Sequence, residues 1–205
     1  MTDKANRALL IGLILLPILY FGMQLLLAPF YPGYSLLRDP ASELGSDRSP
    51  VALWFNLLAV AGGLFGIGGA CGAWRALKVA GSGLLQALLL PMILATVAAG
   101  SVWAGIFPMP HPLHPMNPAT PAMLIMPFAA LIYAWWAAAL RPLRVLSLVN
   151  LVAFLIILPF MMGLVPIDRG ALGGLLQRLL ALPVFVPIAM IGCQLRRGIS
   201  PGPSS

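Results

Sequence analysis

The sequence predicts an all-α integral membrane protein, a bundle of six transmembrane helices with both termini in the cytoplasm. Two observations carry that class and a third orients it. The chain of 205 residues is 60% hydrophobic and 8% charged, against about 25% charge in soluble domains, so it cannot hide its apolar surface in a water-soluble core. Apolar stretches recur at lengths near 20 residues, which at 1.5 Å per residue cross a hydrocarbon layer of about 30 Å. Of twelve basic residues, eight (Lys4, Arg7, Arg75, Lys78, Arg141, Arg144, Arg196 and Arg197) sit at the chain ends and in alternate loops. Positive charge in short flanking loops resists translocation, which places those segments inside.

The spans follow in order. Residues 8–30 open after Lys4 and Arg7 like a signal peptide, but the apolar segment is too long and no small-residue cleavage site follows Phe30, so it reads as an uncleaved span. Residues 51–73 contain Gly62, Gly66 and Gly69 on one helical face, where a neighbouring backbone can approach closely, either from this chain or from a second copy or another membrane protein. The remaining spans are 84–107, 120–140, 145–165 and 174–195. Pro91, Pro159, Pro183 and Pro187 interrupt them and free carbonyls that need partners inside the bundle. Trp54, Trp74, Trp103 and Tyr31 lie near span ends and read as interfacial anchors. A single domain covers 1–197, and 198–205 is a short cytoplasmic tail rich in Pro, Gly and Ser, expected to be disordered. The whole is a multi-pass protein of the inner (plasma) membrane.

Charge and thiols limit the function classes. The +7 net charge is spread in pairs along one membrane face and forms no clustered nucleic-acid footprint. Cys71 and Cys193 fall near cytoplasmic span ends, so no disulfide is expected. No P-loop, GxSxG, HExxH or CxxC sequence occurs.

Chemistry concentrates in the loops expected outside, 31–50, 108–119 and 166–173. The first holds Arg38, Asp39, Ser42, Glu43, Asp47 and Arg48. Asp39 before Pro40 predicts a helix start and Gly45 a stop, a turn that would set Asp39, Ser42 and Glu43 on one side. Capping and local ion pairs, or a functional cluster, would both produce that pattern. The second loop carries both histidines, His111 and His114, among prolines. A metal across them requires a bend, because polyproline II separates positions three apart by about 9 Å; copper or zinc is a minority reading and no cofactor is assigned. A histidine meeting Asp39 or Glu43 would gain a partner that tunes it for proton transfer, and a stiff solvated loop is the alternative. Within the spans the polar residues are Gln24, Asn56, Ser101, Asn150, Gln177 and Arg178. Arg178 either snorkels to the interface or aims into an outward cleft, where it could hold a phosphate or carboxylate.

Pro40-Ala-Ser42-Glu43-Leu-Gly45, followed by Pro50 and Phe55-Asn56, resembles the first-loop signature of an uncharacterised family of bacterial multispan proteins known as domain of unknown function number 998. It is similar, more distantly, to the eukaryotic Frag/DRAM/Sfk group of six-span proteins. The resemblance covers about 17 residues, with Ala41 where a β-branched residue is common and Glu43 where Asp is common. It implies a six-helix bundle with the motif loop on the non-cytoplasmic side, and, since some members of the eukaryotic group act in lipid-anchor remodelling, a connection with lipid.

Two functions are compatible with these features. In the first, the protein binds or modifies a membrane lipid: His111 or His114 is base or polar anchor, Asp39 and Glu43 orient it, and Arg38, Ser42, Asn56 and Arg178 hold a headgroup. In the second it is a non-catalytic assembly partner or small-solute permease whose outer motif is a structural clamp.

Overall fold

Helices follow the apolar stretches. The computed structural model describes residues 3–136 and 141–198, and among these the only regular structure is helical. The helices are α1 (Asp3–Leu27), α2 (Ala52–Val79), α3 (Leu84–Ile106), α4 (Thr120–Trp136), α5 (Arg141–Met161) and α6 (Arg169–Gly198), with 3-10 turns at Ala28–Phe30 and Ala41–Gly45. Five are long and apolar enough to cross a membrane. The described part of α4, 17 residues, reaches only roughly 25 Å. Residues 137–140 of the span expected at 120–140, and residues 199–205 of the tail, lie outside the described residues.

Boundaries shift where polar residues continue a helix beyond its apolar part. Helix α2 runs through Arg75 to Val79, with Lys78 over the Trp74 ring at 5.0 Å one turn back, and Gly81 at φ +72° breaks the chain away. Helix α6 starts at Arg169, five residues before the expected 174, because the Asp168 carboxylate accepts the Ala171 N–H at 3.0 Å; this satisfies one of the amide donors that every helix start leaves free. Helix α5 lies at 141–161 instead of 145–165, closed by Leu164 N–H on the Pro159 carbonyl with Gly163 at φ +75°.

The helices α1, α2, α3, α4 and α6 close a ring in that order, and α5 packs on the seam between α4 and α6. Helix α5 buries a single stripe, Ser147, Leu151 and Phe154, at the i, i+4, i+7 spacing of one helix face. The Gly62, Gly66 and Gly69 face is filled within the chain by Leu16 and Leu13 of α1, with Ala98 of α3 also against Gly66. Pro187 has no N–H to offer the Pro183 carbonyl, and the Asn150 side chain of α5 supplies it instead at 2.7 Å, a freed carbonyl meeting an intramembrane amide. Cys71 and Cys193 are exposed free thiols.

Candidate functional site: a cavity beneath two loops

The first loop folds onto the start of α6 through backbone groups. Gly174 and Leu175 N–H groups donate to the Arg38 and Leu37 carbonyls at 3.0 and 2.8 Å, and Gln177 Oε1 accepts Ala41 N–H at 2.7 Å. Arg178 completes the seam: Nη1 donates to the carbonyls of Leu36, Asp39 and Gly174 at 2.7, 3.0 and 2.9 Å, and Nη2 to the Tyr34 hydroxyl. The hydroxyl in turn donates to the Pro40 carbonyl at 3.1 Å. Burial pushes the Tyr34 phenol above its ordinary pKa, with the Arg178 charge opposing. The guanidinium is therefore engaged by its own chain, and only its buried Nε lacks a partner.

The motif residues are similarly engaged. Asp39 does not cap a helix; its carboxylate turns back to Ser35 N–H at 2.8 Å and to Arg38 Nε and Nη2 at 2.8 and 2.9 Å, and the hydrogen-bonded guanidinium holds the carboxyl below its ordinary range. The turn starts instead after Pro40, whose φ of −64° and ψ of 154° are extended backbone. Glu43 pairs with Arg48 at 2.9 Å and accepts from Tyr31 and Ser46 at 3.3 Å. Gly45 accepts Asn56 Nδ2 at 3.0 Å, and a Cβ there would overlap the Asn56 amide and stand 2.9 Å from the Phe55 ring. The signature's Gly45 and its Phe55-Asn56 pair are one packing unit.

The two loops meet through Met109. Its sulfur accepts Ser42 Oγ at 3.2 Å and its carbonyl accepts Asp47 N–H at 3.2 Å. The imidazoles bond within their own loop: His111 Nδ1 accepts Leu113 N–H at 3.1 Å, and His114 Nδ1 lies 2.7 Å from the Phe107 carbonyl. A carbonyl can only accept, so neutral His114 carries its proton on Nδ1 and leaves Nε2 as a lone-pair acceptor. Trp103 Nε1 donates to the Leu113 carbonyl at 2.8 Å and fastens this loop to α3. His111 is exposed. Among the described residues no group of three or more His, Cys, Asp or Glu is placed to hold a metal.

Beneath the loops lies a cavity of about 400 Å³. Its polar lining is Ser42, Asn56, Ser101, His114, Asn117, Thr120 and Gln177 together with the Tyr20 phenol, and the rest is apolar, with Leu16, Met123, Phe154 and Phe185 among the walls. Tyr20 and Phe185 stack at 4.2 Å. Of the residues expected to form a site, Ser42, Asn56 and His114 line this cavity, while Asp39, Glu43, Arg38, Arg178 and His111 do not. Asn117 was not anticipated. Its amide spans Gly100 carbonyl and Ala119 N–H at 3.0 Å each, and its signal was only an Asn between prolines at the start of α4.

No curated protein and no solved structure matches the chain. The model of the family described as "Protein of unknown function (DUF998)" matches residues 14–194, and the chain belongs to that family.

Proposed function

We propose that this is a six-span protein with both termini cytoplasmic that holds a lipid-like amphiphile in the cavity beneath its external loops. The carrying observation is the distribution of groups around that cavity: hydrogen-bonding side chains gathered under the loops, apolar walls below. A volume of about 400 Å³ falls within the range of small-molecule pockets, which are mostly apolar with a few orienting polar groups. His114 Nε2 and the Gln177 amide N–H groups offer a headgroup an acceptor and donors without fixed charge, which suits hydroxyl or amide functions. Arg38 and Arg178, already committed to Asp39 and to backbone carbonyls, are not what holds it. The motif then serves as the clamp over the cavity, and binding is favoured over chemistry because Asp39 and Glu43 are paired with arginines and not with an imidazole.

A permease reading would need a polar route through the bundle. Leu13, Leu94, Met126 and Ile188, all 0% exposed, and Ile191, 1% exposed, form an apolar layer between this cavity and a second one near the termini, which supports a holding site.

Native mass spectrometry of protein released from the membrane in mild detergent should find one copurifying amphiphile. Ala104→Phe, which adds a ring to the cavity wall, should lower its occupancy tenfold or more, since overlap with an added ring exceeds the ~1.4 kcal/mol that a factor of ten represents. Equal occupancy in the two proteins, or none in the wild type, would remove the holding function.

Orientation has its own test. With Cys71 and Cys193 replaced by Ser, single cysteines at Arg48 and Met116, 72% exposed in its side chain and 67% exposed respectively, should react with a membrane-impermeant maleimide from the periplasmic side of intact cells. Reaction only from the cytoplasmic side would invert the topology.

A further inference from the structure

A second cavity, of about 970 Å³, lies at the opposite end of the bundle, where Asp3 of α1 and Gly198 of α6 both line it. Its long walls come from α3 and α4, through residues such as Leu89, Ile93, Phe128 and Ile132. Leu89, Phe128 and Ile132 are 47, 41 and 45% exposed, so the cleft opens sideways on the apolar surface that lipid covers. An alkyl chain could enter from there.

The polar end is unusual in charge. This end of the bundle carries Lys4, Arg7, Arg75, Lys78, Arg144, Arg196 and Arg197, yet among the described residues none of them lines the cavity, and Asp3 is the one charged lining residue. Two further lining residues, Asn6 and Gln194, have amide oxygens that are buried without any hydrogen-bond partner, and Asn6 is only 9% exposed. A buried acceptor left without a partner is destabilising. Ser82, Gln86 and Tyr133 also belong to the polar lining and can each donate or accept, so the selective groups are the one carboxylate and the two orphaned acceptors, which suit a head that is positive and rich in N–H donors.

We infer that the cleft between α3 and α4 is a binding site for an amphiphile with a protonated primary amine head, seated on Asn6, Gln194 and Asp3 with its hydrocarbon chain along α3 and α4. An –NH₃⁺ group has three donors and no acceptor, which suits a lining whose charged residue is a carboxylate and whose unpartnered atoms are amide oxygens. A carboxylate or phosphate head would meet the Asp3 carboxylate and be repelled by its like charge. This site is independent of the one beneath the loops, from which the Leu13, Leu94, Met126 and Ile188 layer divides it.

The test uses the full-length protein in phosphatidylcholine nanodiscs, with dodecylammonium, dodecyltrimethylammonium and dodecanoate as probes that share a tail. Dodecylammonium should raise the melting temperature saturably. The trimethyl compound keeps the charge without N–H donors and should bind about tenfold more weakly or worse, since hydrogen bonds to charged groups are the stronger class; dodecanoate should not bind. Asn6→Leu and Gln194→Met should each abolish the preference for the primary amine while leaving the unliganded melt unchanged or raised, because each removes an orphaned acceptor. Asp3→Asn should weaken dodecylammonium without making dodecanoate bind as tightly as the wild type binds the amine. Equal, unsaturable responses to both cations would mean partition into the bilayer and overturn the site. Binding seen only in a chain ending at Gly198 would overturn it too, by giving the cleft to the chain's own last residues. If a variant fails to fold, the ranking of the three probes on the wild type still decides.

Discussion

Replacing Arg178 with Met should release the first loop and cost about 3 kcal/mol of stability. The guanidinium serves the carbonyls of Leu36, Asp39 and Gly174 and the Tyr34 hydroxyl at once, and methionine keeps the apolar stem while removing every donor. Losing one partner of a buried network leaves the others desolvated and unsatisfied, which is where the cost arises. Two observables should move together: the melting temperature in detergent should fall, and amide exchange of residues 33–41 should rise toward that of open loop. Arg178→Lys should recover only part of this, because a lysine point charge cannot fork between two sets of acceptors. Were Arg178 instead an anion holder, Arg178→Met would leave the loop protected and abolish binding of a phosphorylated headgroup. Unchanged exchange over 33–41 would therefore sink the clamp.

The sequence makes the spans legible because hydrocarbon thickness imposes a length and the chain has too little charge to satisfy any other solvent. Boundaries were less legible where helices leave lipid, since the hydrogen-bond ladder of α2 continues through Arg75 and Lys78 without needing apolar side chains. The polar face of α6 was visible as well, with Gly173, Gly174, Gln177 and Arg178 on one side. What faces it was not. Arg178 is satisfied mainly by backbone carbonyls, and a carbonyl is the same at every position of a sequence, so no residue pattern marks Leu36 or Asp39 as its acceptor. The same reason hides the His114 partner, the Phe107 carbonyl. Titratable groups invite pairing with one another on paper, whereas in the folded loops Asp39 and Glu43 take the arginines closest in sequence, because a neighbour reached within a short loop loses less chain entropy on closure than a distant imidazole. The pairing of Gly45 with Asn56 was half visible. The signature showed both residues, but only the folded turn shows that the absent Cβ is the space the amide occupies.

Gly12→Ala should be among the most damaging single-methyl changes in the chain, with a loss of about 3 kcal/mol or more. In a helix the exchange alone would stabilise by up to ~1 kcal/mol, so a loss must come from tertiary contact. A Cβ at position 12 would fall on the Phe65 carbonyl oxygen of α2 and lie 3.2 Å from the Gly69 nitrogen. Those are backbone atoms, which cannot rotate aside as a leucine tip can, and relief requires α1 to shift bodily away from α2 at the cost of overpacked contacts. Gly22→Ala is the matched control: the same helix, the same chemical change, and nothing within 4 Å of the added carbon, so it should melt within ~0.5 kcal/mol of the wild type or slightly above. Thermal unfolding of the three proteins in one detergent decides the matter, and equal melting of Gly12→Ala and Gly22→Ala would refute the close α1–α2 approach. The consequence reaches the cavity. Leu16, Leu19 and Tyr20 of α1 and Phe55, Ala59 and Gly62 of α2 all line it, so on the proposed holding function a helix pair pushed apart by one methyl should also lose the amphiphile, whereas Gly22→Ala should retain it.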